Sequence, residues 1–338
     1  MKICIVGAGA IGGFIGTKRA ATGTHEVSAL ARGDTLAAMQ QHGWRLNTAE
    51  GLVQAPLLKA SSTAVDLGVQ DLIVIAVKSQ SLADVAPTLG PLIGRHTLIL
   101  PAMNGVPWWF MKNQKGDGLQ ALWDGPLQSI DPRGHIQQAL PADQVIGCVV
   151  HASTSVESPG LARHHGGQKL ILGEPAGETD GASSVRVSKL VQALSDAGFE
   201  AFYSKDIRYN IWYKLWGNIT MNPISAITGA TIDRVLGDKL VRSFCTGVML
   251  EAQAIGARIG CAIDETPEDR HAVTSRLGGF KTSMLQDVEA GRAIELDAIV
   301  GAVREMGERL AIHTPNIDAL LGLARLFGQS KNIYKIEK

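Results

Sequence analysis

The chain has little of several features that define whole classes of protein. Its four cysteines lie far apart and form no Cys-x-x-Cys pair, which argues against a disulfide framework. No stretch reaches the roughly 18 uninterrupted apolar residues that a membrane span needs. Lysine plus arginine and aspartate plus glutamate are equal, at 32 each, so no excess of positive charge favours nucleic acid. The cysteines are Cys4, Cys148, Cys245 and Cys261, and Cys4 is expected to be a buried thiol in the first strand.

Metal-binding patterns are also scarce. The nine histidines include no His-Glu-x-x-His motif, and the adjacent His164 and His165 are poorly spaced to share one ion, so we expect no metal site. What the chain does have is length and apolar content. Its 338 residues, 45% of them hydrophobic, suffice for about two domains with large cores.

The beginning of the chain carries the most informative motif. An apolar, strand-like run leads directly into Gly-x-Gly-x-x-Gly and then into a helix-compatible stretch. In such motifs the glycines allow a tight turn, close approach of a diphosphate and close packing of helix on strand, while the helix N-terminus holds the anion. The pattern predicts a dinucleotide site, and the alternative is a glycine-rich structural turn. The predicted cofactor contacts are Gly7, Gly9, Ala10, Ile11 and Gly12.

A secretory signal can also begin with a basic residue and an apolar run. Here only Lys2 precedes the run, five glycines interrupt it, and its removal would destroy the first predicted strand. We therefore expect a cytoplasmic protein.

Strand-like and helix-like segments alternate through the first part of the chain. Residues 71–77 are a predicted strand that is continuously apolar after Asp71, as expected for a parallel strand buried on both faces. This rhythm predicts a doubly wound, Rossmann-type α/β domain over residues 1–205. The other predicted elements are strands at 25–31, 97–100, 145–152 and 170–172, helices at 35–42 and 184–197, and a hairpin-like pair at 44–47 and 52–58.

After about residue 206 the apolar spacing becomes helical, which predicts an all-helical domain over residues 206–338. Two pairs, Thr266-Pro267 and Thr314-Pro315, predict later helix starts, because threonine is a good N-cap and proline fits the first helical position. The apolar stripe of one long predicted helix consists of Leu240, Val241, Phe244, Val248, Ala252, Ile255 and Ile259.

Residues 106–143 form an unusual stretch that is rich in tryptophan and glycine. Two interpretations are open: a packed excursion at the sheet edge, or a lid or wall over the active site. The residues that mark the stretch are Trp108, Trp109, Phe110, Gly116, Gly118, Trp123 and Gly125.

Three strand ends carry candidate ligand contacts. The second strand ends at Arg32, 20 residues after Gly12, where NAD enzymes carry an acidic residue that binds the ribose 2′-hydroxyl. A guanidinium can instead pair with a 2′-phosphate, which favours NADP. The nearby Asp34 could accept from the ribose instead, and Arg32 could be a surface charge. Lys78 and Asn104 also follow strands; their alternatives are a surface lysine and an Asn-Gly turn.

A polar row follows the predicted domain border. Lys214, Asn218 and Asn222 are spaced i, i+4, i+8, so on a helix they share one face. Their neighbours are apolar, which indicates that the row lies beside a buried region. The alternative is a solvent-exposed helix face. Pro223 disfavours helix at Asn222, so we expect the row to end at a helix break.

Together these motifs resemble those of the ketopantoate reductases, also called 2-dehydropantoate 2-reductases, over nearly the whole chain. The glycine motif is generic, whereas the Lys-Asn-Asn-Pro and Ser-Met-Leu-Gln-Asp blocks, in this order, are specific. The matching positions are Gly7-x-Gly9-x-x-Gly12, Arg32, Val77-Lys78, Asn104-Gly105, Lys214-x3-Asn218-x3-Asn222-Pro223, Ser283-Met284-Leu285-Gln286-Asp287 and Glu295.

The resemblance implies NADPH-dependent reduction of ketopantoate to pantoate, a step of pantothenate biosynthesis. It implies that Lys214 is the general acid that protonates the carbonyl oxygen. Asn218 and Asn222 would bind substrate hydroxyl or carbonyl groups, and Ser283 would hold the carboxylate. Glu295 would orient Lys214 or a substrate hydroxyl.

By the same resemblance, Lys78 and Asn104 would lie near the nicotinamide and the substrate. The role of Lys214 agrees with the chemistry. Reduction of a ketone leaves negative charge on the oxygen, and an ammonium group there stabilises the charge and supplies the proton.

Two departures from the family pattern leave the substrate open. Ile232 stands where the family often has a further asparagine, and the tryptophan-rich stretch is longer than expected. A related 2-keto acid reductase, with an apolar pocket shaped by Trp108, Trp109 or Ile232, is therefore one alternative. A non-catalytic NADP sensor is another, against which Lys214 argues. A homodimer through the helical domain is a further possibility.

Overall fold

The computed structural model describes residues 1–112, 124–178 and 182–335. Contacts between residues divide the chain into two compact units. The first unit comprises Met1–Phe110 and Gly134–Asn210, and the second comprises the described parts of Met111–Arg133 and Ile211–Lys338. The sequence-based domain border at residue 205 stays a prediction, and the contacts also assign part of the tryptophan-rich stretch to the second unit.

The elements of the described residues follow the chain in this order. The strands are β1 (Lys2–Val6), β2 (Glu26–Leu30), β3 (Trp44–Thr48), β4 (Gly51–Ala55), β5 (Ala60–Ser61), β6 (Leu72–Ile75), β7 (Leu98–Pro101), β8 (Gly147–Ser158), β9 (Leu161–Gly173) and β10 (Glu200–Tyr203). The helices are α1 (Ala10–Ala21), α2 (Gly33–His42), α3 (Ser79–Val85), α4 (His135–Ala139), α5 (Val185–Asp196), α6 (Ile207–Thr228), α7 (Ile232–Gly237), α8 (Lys239–Arg258), α9 (Pro267–Ser275), α10 (Ser283–Glu289), α11 (Ala302–Arg309) and α12 (Pro315–Ser330).

The first unit contains a parallel sheet with the strand order β5-β2-β1-β6-β7. Its helical connections are what parallel pairing requires, because neighbouring parallel strands need a crossover. All residues of β6 are at most 1% exposed, as the continuous apolar run predicts for a central strand. The predicted Rossmann-type α/β fold, followed by a helical region, is confirmed.

A second sheet in this unit has the order β10-β9-β3-β4, with β8 pairing antiparallel to β9. The predicted hairpin around Glu50 is confirmed as β3 and β4. The lengths of the strands predicted at 145–152 and 170–172 are wrong. The corresponding strands β8 and β9 have 12 and 13 residues. Their central parts are exposed or half-buried and polar, so no apolar alternation marks them in the sequence.

The second unit is helical, and α6 continues through Pro223. The helix break expected at Asn222 is therefore wrong. A proline inside a helix removes one backbone hydrogen bond and costs about 3 kcal/mol or more. Here every residue from Ile219 to Ala226 is buried, so packing on all sides of this turn outweighs the local preference.

The long helix predicted in the second unit is α8, but its predicted stripe is partly wrong. Leu240 is 84% exposed, whereas the buried face is centred on Cys245, Met249 and Ala252. Each residue advances about 100° around a helix, which places Leu240 well away from that centre. The two helix starts behind Thr-Pro pairs are confirmed, and Thr266 forms a full capping box with Asp269.

The described parts of the tryptophan-rich stretch are packed. Trp109 and Phe110 are 2% and 0% exposed, and Arg208 donates to the Phe110 carbonyl over 3.0 Å. In the second unit, the backbone N–H groups of Gln128 and Ser129 each lie 2.8 Å from the carboxylate of Glu305 on α11. Gly116, Gly118 and Trp123 lie outside the described residues.

All four cysteines are buried thiols, and burial raises the pKa of Cys4 to about 12. Across the described residues, no helix is both long enough and apolar enough to cross a membrane. The expected cytoplasmic location stays a prediction.

Candidate functional site

The predicted cofactor residues of the first unit lie along one edge of the parallel sheet. In the strand register, Val6 pairs with Leu30 on one side and with Ile75 on the other, and Ile75 pairs with Pro101. The carboxyl ends of four strands therefore form one continuous row. Ligands of open α/β sheets bind at this edge. The segments that follow these strand ends carry the glycine motif, Arg32, Lys78 and Asn104.

The glycines of the motif have different structural roles. Gly7 has φ +90°, in the left-handed region that favours glycine, and its N–H donates to the Leu30 carbonyl over 3.0 Å. A Cβ added to Gly12 would lie 2.0 Å from the Gly7 oxygen, so only glycine lets α1 start this close to the loop. A Cβ added to Gly9 would meet no atom of the described residues within 4 Å. The fold therefore does not require glycine at position 9, and the space beside it is open.

This difference gives a paired prediction. Gly12→Ala should destabilise the fold by about 1–3 kcal/mol through overpacking. Gly9→Ala should leave the melting temperature unchanged but weaken NADPH binding at least about tenfold, because the methyl group would occupy the space expected for the diphosphate. Thermal melts and cofactor titration of both variants would measure this. Normal NADPH binding by Gly9→Ala would contradict the placement of the diphosphate.

Arg32 and Asp34 lie at the start of α2. Arg32 is the exposed N-cap residue two positions after the last residue of β2, and Asp34 is exposed in the first helical turn. A carboxylate in the first turn of a helix is stabilised by the helix dipole. Asp34 therefore has a structural explanation that does not involve a ribose, whereas the guanidinium of Arg32 is exposed at the carboxyl edge of the sheet.

Lys78 and Asn104 are both half-buried. Lys78 is the N-cap residue of α3, and Asn104 precedes Gly105, whose φ of +80° marks a turn. The turn expected from the Asn-Gly pair is therefore present. It lies at the carboxyl edge of the parallel sheet, where Asn104 is also a candidate contact for cofactor or substrate. The roles of both residues toward a cofactor stay predictions.

The predicted polar row of the second unit lies on one continuous helix. Lys214 and Asn218 are half-buried on α6, and Asn222 is only 4% exposed. The Nδ2 atom of Asn222 has no hydrogen-bond partner among the described residues. A buried amide donor without a partner is costly, and a bound polar group would satisfy it. The row thus ends at a side chain suited to a ligand oxygen.

Two charged side chains contact Tyr213, the residue before Lys214. The Tyr213 hydroxyl donates to Glu265 over 2.8 Å, and the guanidinium of Arg270 lies 4.5 Å from the centre of the Tyr213 ring. Burial raises the pKa of Tyr213, and the hydrogen bond to Glu265 raises it further. This cluster has no motif-like spacing, so the sequence does not reveal it.

Ser283 and Glu295 lie later in the second unit. Ser283 is the exposed first residue of α10, behind the N-cap Thr282. A 2.6 Å hydrogen bond joins the hydroxyls of Thr282 and Ser225, so the first turn of α10 lies against α6 just beyond Asn222. Glu295 is half-buried shortly before the π-helix Asp297–Gly301. The substrate roles of Ser283 and Glu295 stay predictions.

Ile232, where the family often has asparagine, begins α7. Its backbone N–H donates to the Phe280 carbonyl over 3.1 Å, and the residue is 3% exposed. Its apolar side chain is thus accounted for by packing in the helical unit. Trp108 and Trp109, the other proposed pocket residues, are 8% and 2% exposed. The pocket role of all three residues stays a prediction.

These features define a class of protein with a Rossmann-type α/β unit followed by a helical region. Two family models match the chain: "Ketopantoate reductase PanE/ApbA" over residues 3–112 and "Ketopantoate reductase PanE/ApbA C terminal" over residues 206–327. The chain belongs to the ketopantoate reductase family, and it is an oxidoreductase.

Individual relatives agree with this assignment. The chain is 42% identical to a 2-dehydropantoate 2-reductase of Mesorhizobium japonicum over 99% of this chain and 100% of that protein. A crystal structure from Ralstonia solanacearum MolK2, provisionally named a ketopantoate reductase, is 48% identical with a TM-score of 0.91, covering 98% of this chain and 99% of that one.

Another enzyme shares the fold at lower sequence identity. A D-mandelate dehydrogenase, solved with NADH and anilino(oxo)acetate, shares the fold with a TM-score of 0.82 at 23% identity, covering 99% of this chain and 100% of that one.

Proposed function

We propose that the chain reduces 2-dehydropantoate to pantoate with NADPH. The observation that carries the proposal is the row of Lys214, Asn218 and Asn222 on one helix. It ends at the buried Nδ2 atom of Asn222, which has no hydrogen-bond partner among the described residues. The full-length likeness to the Mesorhizobium japonicum enzyme supports the same substrate.

The hydride that reduces the carbonyl carbon would come from NADPH when the cofactor is bound. The Lys214 ammonium stabilises the negative charge that develops on the carbonyl oxygen and donates the proton that converts it to a hydroxyl. Asn218 and Asn222 donate or accept hydrogen bonds that hold the substrate oxygens in place. Glu295 orients Lys214 or a substrate hydroxyl.

The cofactor contacts belong to the first unit. The glycine loop and the N-terminus of α1 hold the diphosphate, as the space beside Gly9 allows. Arg32 pairs with the 2′-phosphate, and Lys78 and Asn104 contact the nicotinamide end. NADP rather than NAD is proposed because the first charged side chain after β2 is the guanidinium of Arg32, not a carboxylate.

A steady-state assay with a panel of 2-keto acids and both cofactors tests the proposal. The highest kcat/KM should be obtained with ketopantoate and NADPH. Cofactor binding without turnover of any keto acid would instead identify a non-catalytic sensor.

A second candidate is reduction of a different branched or aromatic 2-keto acid. It is favoured by the apolar Ile232 at a position where the family often has asparagine. A higher kcat/KM for an aromatic keto acid than for ketopantoate would support this candidate. The homodimer through the helical unit stays a prediction.

Ser283→Ala should raise KM for the keto acid about 10-fold or more, because a hydrogen bond to a charged carboxylate contributes about 1.5–3 kcal/mol. The Kd for NADPH should stay within about twofold, since Ser283 is assigned to the substrate alone. Kinetic and binding titrations would measure both values, with Ser243→Ala, an exposed serine on α8, as the control. Weaker NADPH binding by Ser283→Ala with an unchanged KM for the keto acid would show that the assignment of Ser283 to the substrate site is wrong.

A further inference from the structure

A continuous chain of hydrogen bonds joins α6 to α10. The Ser225 hydroxyl donates to the Asn222 carbonyl over 3.1 Å, and it lies 2.6 Å from the Thr282 hydroxyl. The Leu285 N–H donates to the Thr282 oxygen over 3.1 Å. Either hydroxyl of the Ser225–Thr282 pair can donate to the other, and the Thr282 oxygen also accepts from the Leu285 N–H.

This chain lies in the protein interior. Ser225 is 0% exposed and Thr282 is 4% exposed, so water does not replace either hydroxyl partner. A buried hydroxyl that loses its hydrogen-bond partner costs free energy, so the two hydroxyls are held at hydrogen-bonding distance. The bond also lies in the turn of α6 that contains Pro223, where the backbone lacks one N–H donor.

Helix α10 depends on such an anchor. It has only seven residues, and helices this short are not stable alone. Its N-cap residue Thr282 is also the residue that bonds to Ser225. Ser283 follows immediately, while Asn222 supplies the carbonyl at the other end of the chain.

We propose that Ser225 is a positioning residue that acts through Thr282 to hold Ser283 at the correct place relative to Asn222. The inference rests on the proposed function, in which Asn222 and Ser283 bind the keto acid. Ser225 does not touch the substrate. Its hydroxyl aligns two substrate-binding elements that are distant in sequence.

The first test does not depend on activity. Ser225→Ala in the full chain should speed amide hydrogen exchange at Leu285 about fivefold to tenfold, as expected when one net hydrogen bond is lost. The matched control is Thr220→Val. It removes a hydroxyl that is also 0% exposed on α6 but that donates to the Gly217 carbonyl within the same helix. Equal exchange at Leu285 in both variants would overturn the proposal.

The second test asks whether Ser225 acts through Ser283. Ser225→Ala should raise KM for the keto acid about tenfold and change kcat less than about threefold, with NADPH Kd unchanged. The double variant with Ser283→Ala should be no worse than Ser283→Ala alone, because the two changes remove the same interaction. Additive effects on KM would contradict the proposal.

A conservative variant separates positioning from general stability. Thr282→Ser keeps the hydroxyl link and should behave as the parent, whereas Thr282→Val should reproduce the rise in KM even if Ser225→Ala does not fold. A Thr282→Val variant with the parent KM would overturn the proposal. If the parent reduces no keto acid, the proposed function fails, and exchange at Leu285 still decides whether Ser225 anchors α10.

Discussion

Lys214→Ala should lower kcat for keto acid reduction about 100-fold or more, since general acid catalysis contributes roughly 10²- to 10⁴-fold. The ketone oxygen gains negative charge during hydride transfer, and only a group that both stabilises this charge and gives up a proton serves both needs. Lys214 heads the row on α6 that ends at Asn222, whose buried Nδ2 atom has no hydrogen-bond partner within the described ranges. NADPH binding should stay within about twofold, because the lysine is assigned to the substrate. Single-turnover kinetics and fluorescence titration of NADPH would measure the two quantities.

Two further variants show which property of Lys214 matters. Lys214→Arg keeps the positive charge, but a guanidinium does not release its proton at ordinary pH, so kcat should stay strongly reduced. Lys239→Ala removes an exposed lysine of α8 and should leave kcat unchanged. A kcat for Lys214→Ala within about threefold of the parent would show that another group is the proton donor.

Arg32→Ala should weaken NADPH binding about 10- to 100-fold and leave NADH binding almost unchanged. Charge-assisted hydrogen bonds contribute about 1.5–3 kcal/mol, and each 1.4 kcal/mol corresponds to a factor of about ten. The exposed Arg32 lies two positions after the last residue of β2, at the sheet edge that includes the glycine loop. Titration of both cofactors against the parent and the variant would measure the discrimination.

Asp34 provides the matched comparison for Arg32. If it only stabilises the first turn of α2, Asp34→Asn should lower the stability slightly and keep the preference for NADPH. If it faces the ribose, Asp34→Asn should instead improve NADPH binding, because a repulsive charge is removed. A parent that binds NADH as well as NADPH would contradict the role assigned to Arg32.

Much of the first unit follows from local patterns. The apolar run that begins at Leu72 is typical of a strand buried on both faces, and the glycine motif directly after a strand specifies a tight turn into a helix. Helix starts at Thr266 and Thr314 follow from the chemistry of the N-cap and of proline. These predictions were possible because each signal lies within a few residues of the structure that it specifies.

The sequence by itself therefore determined the fold class, the strand ends that carry the candidate cofactor residues, and the helical row of Lys214, Asn218 and Asn222. Tertiary structure alone decided that α6 continues through Pro223 and that Leu240 is exposed. It also decided that Ser225 and Thr282, 57 residues apart, share a hydrogen bond. The physical reason is that burial and hydrogen-bond partners depend on which elements pack together, and residue spacing along one element does not contain that information.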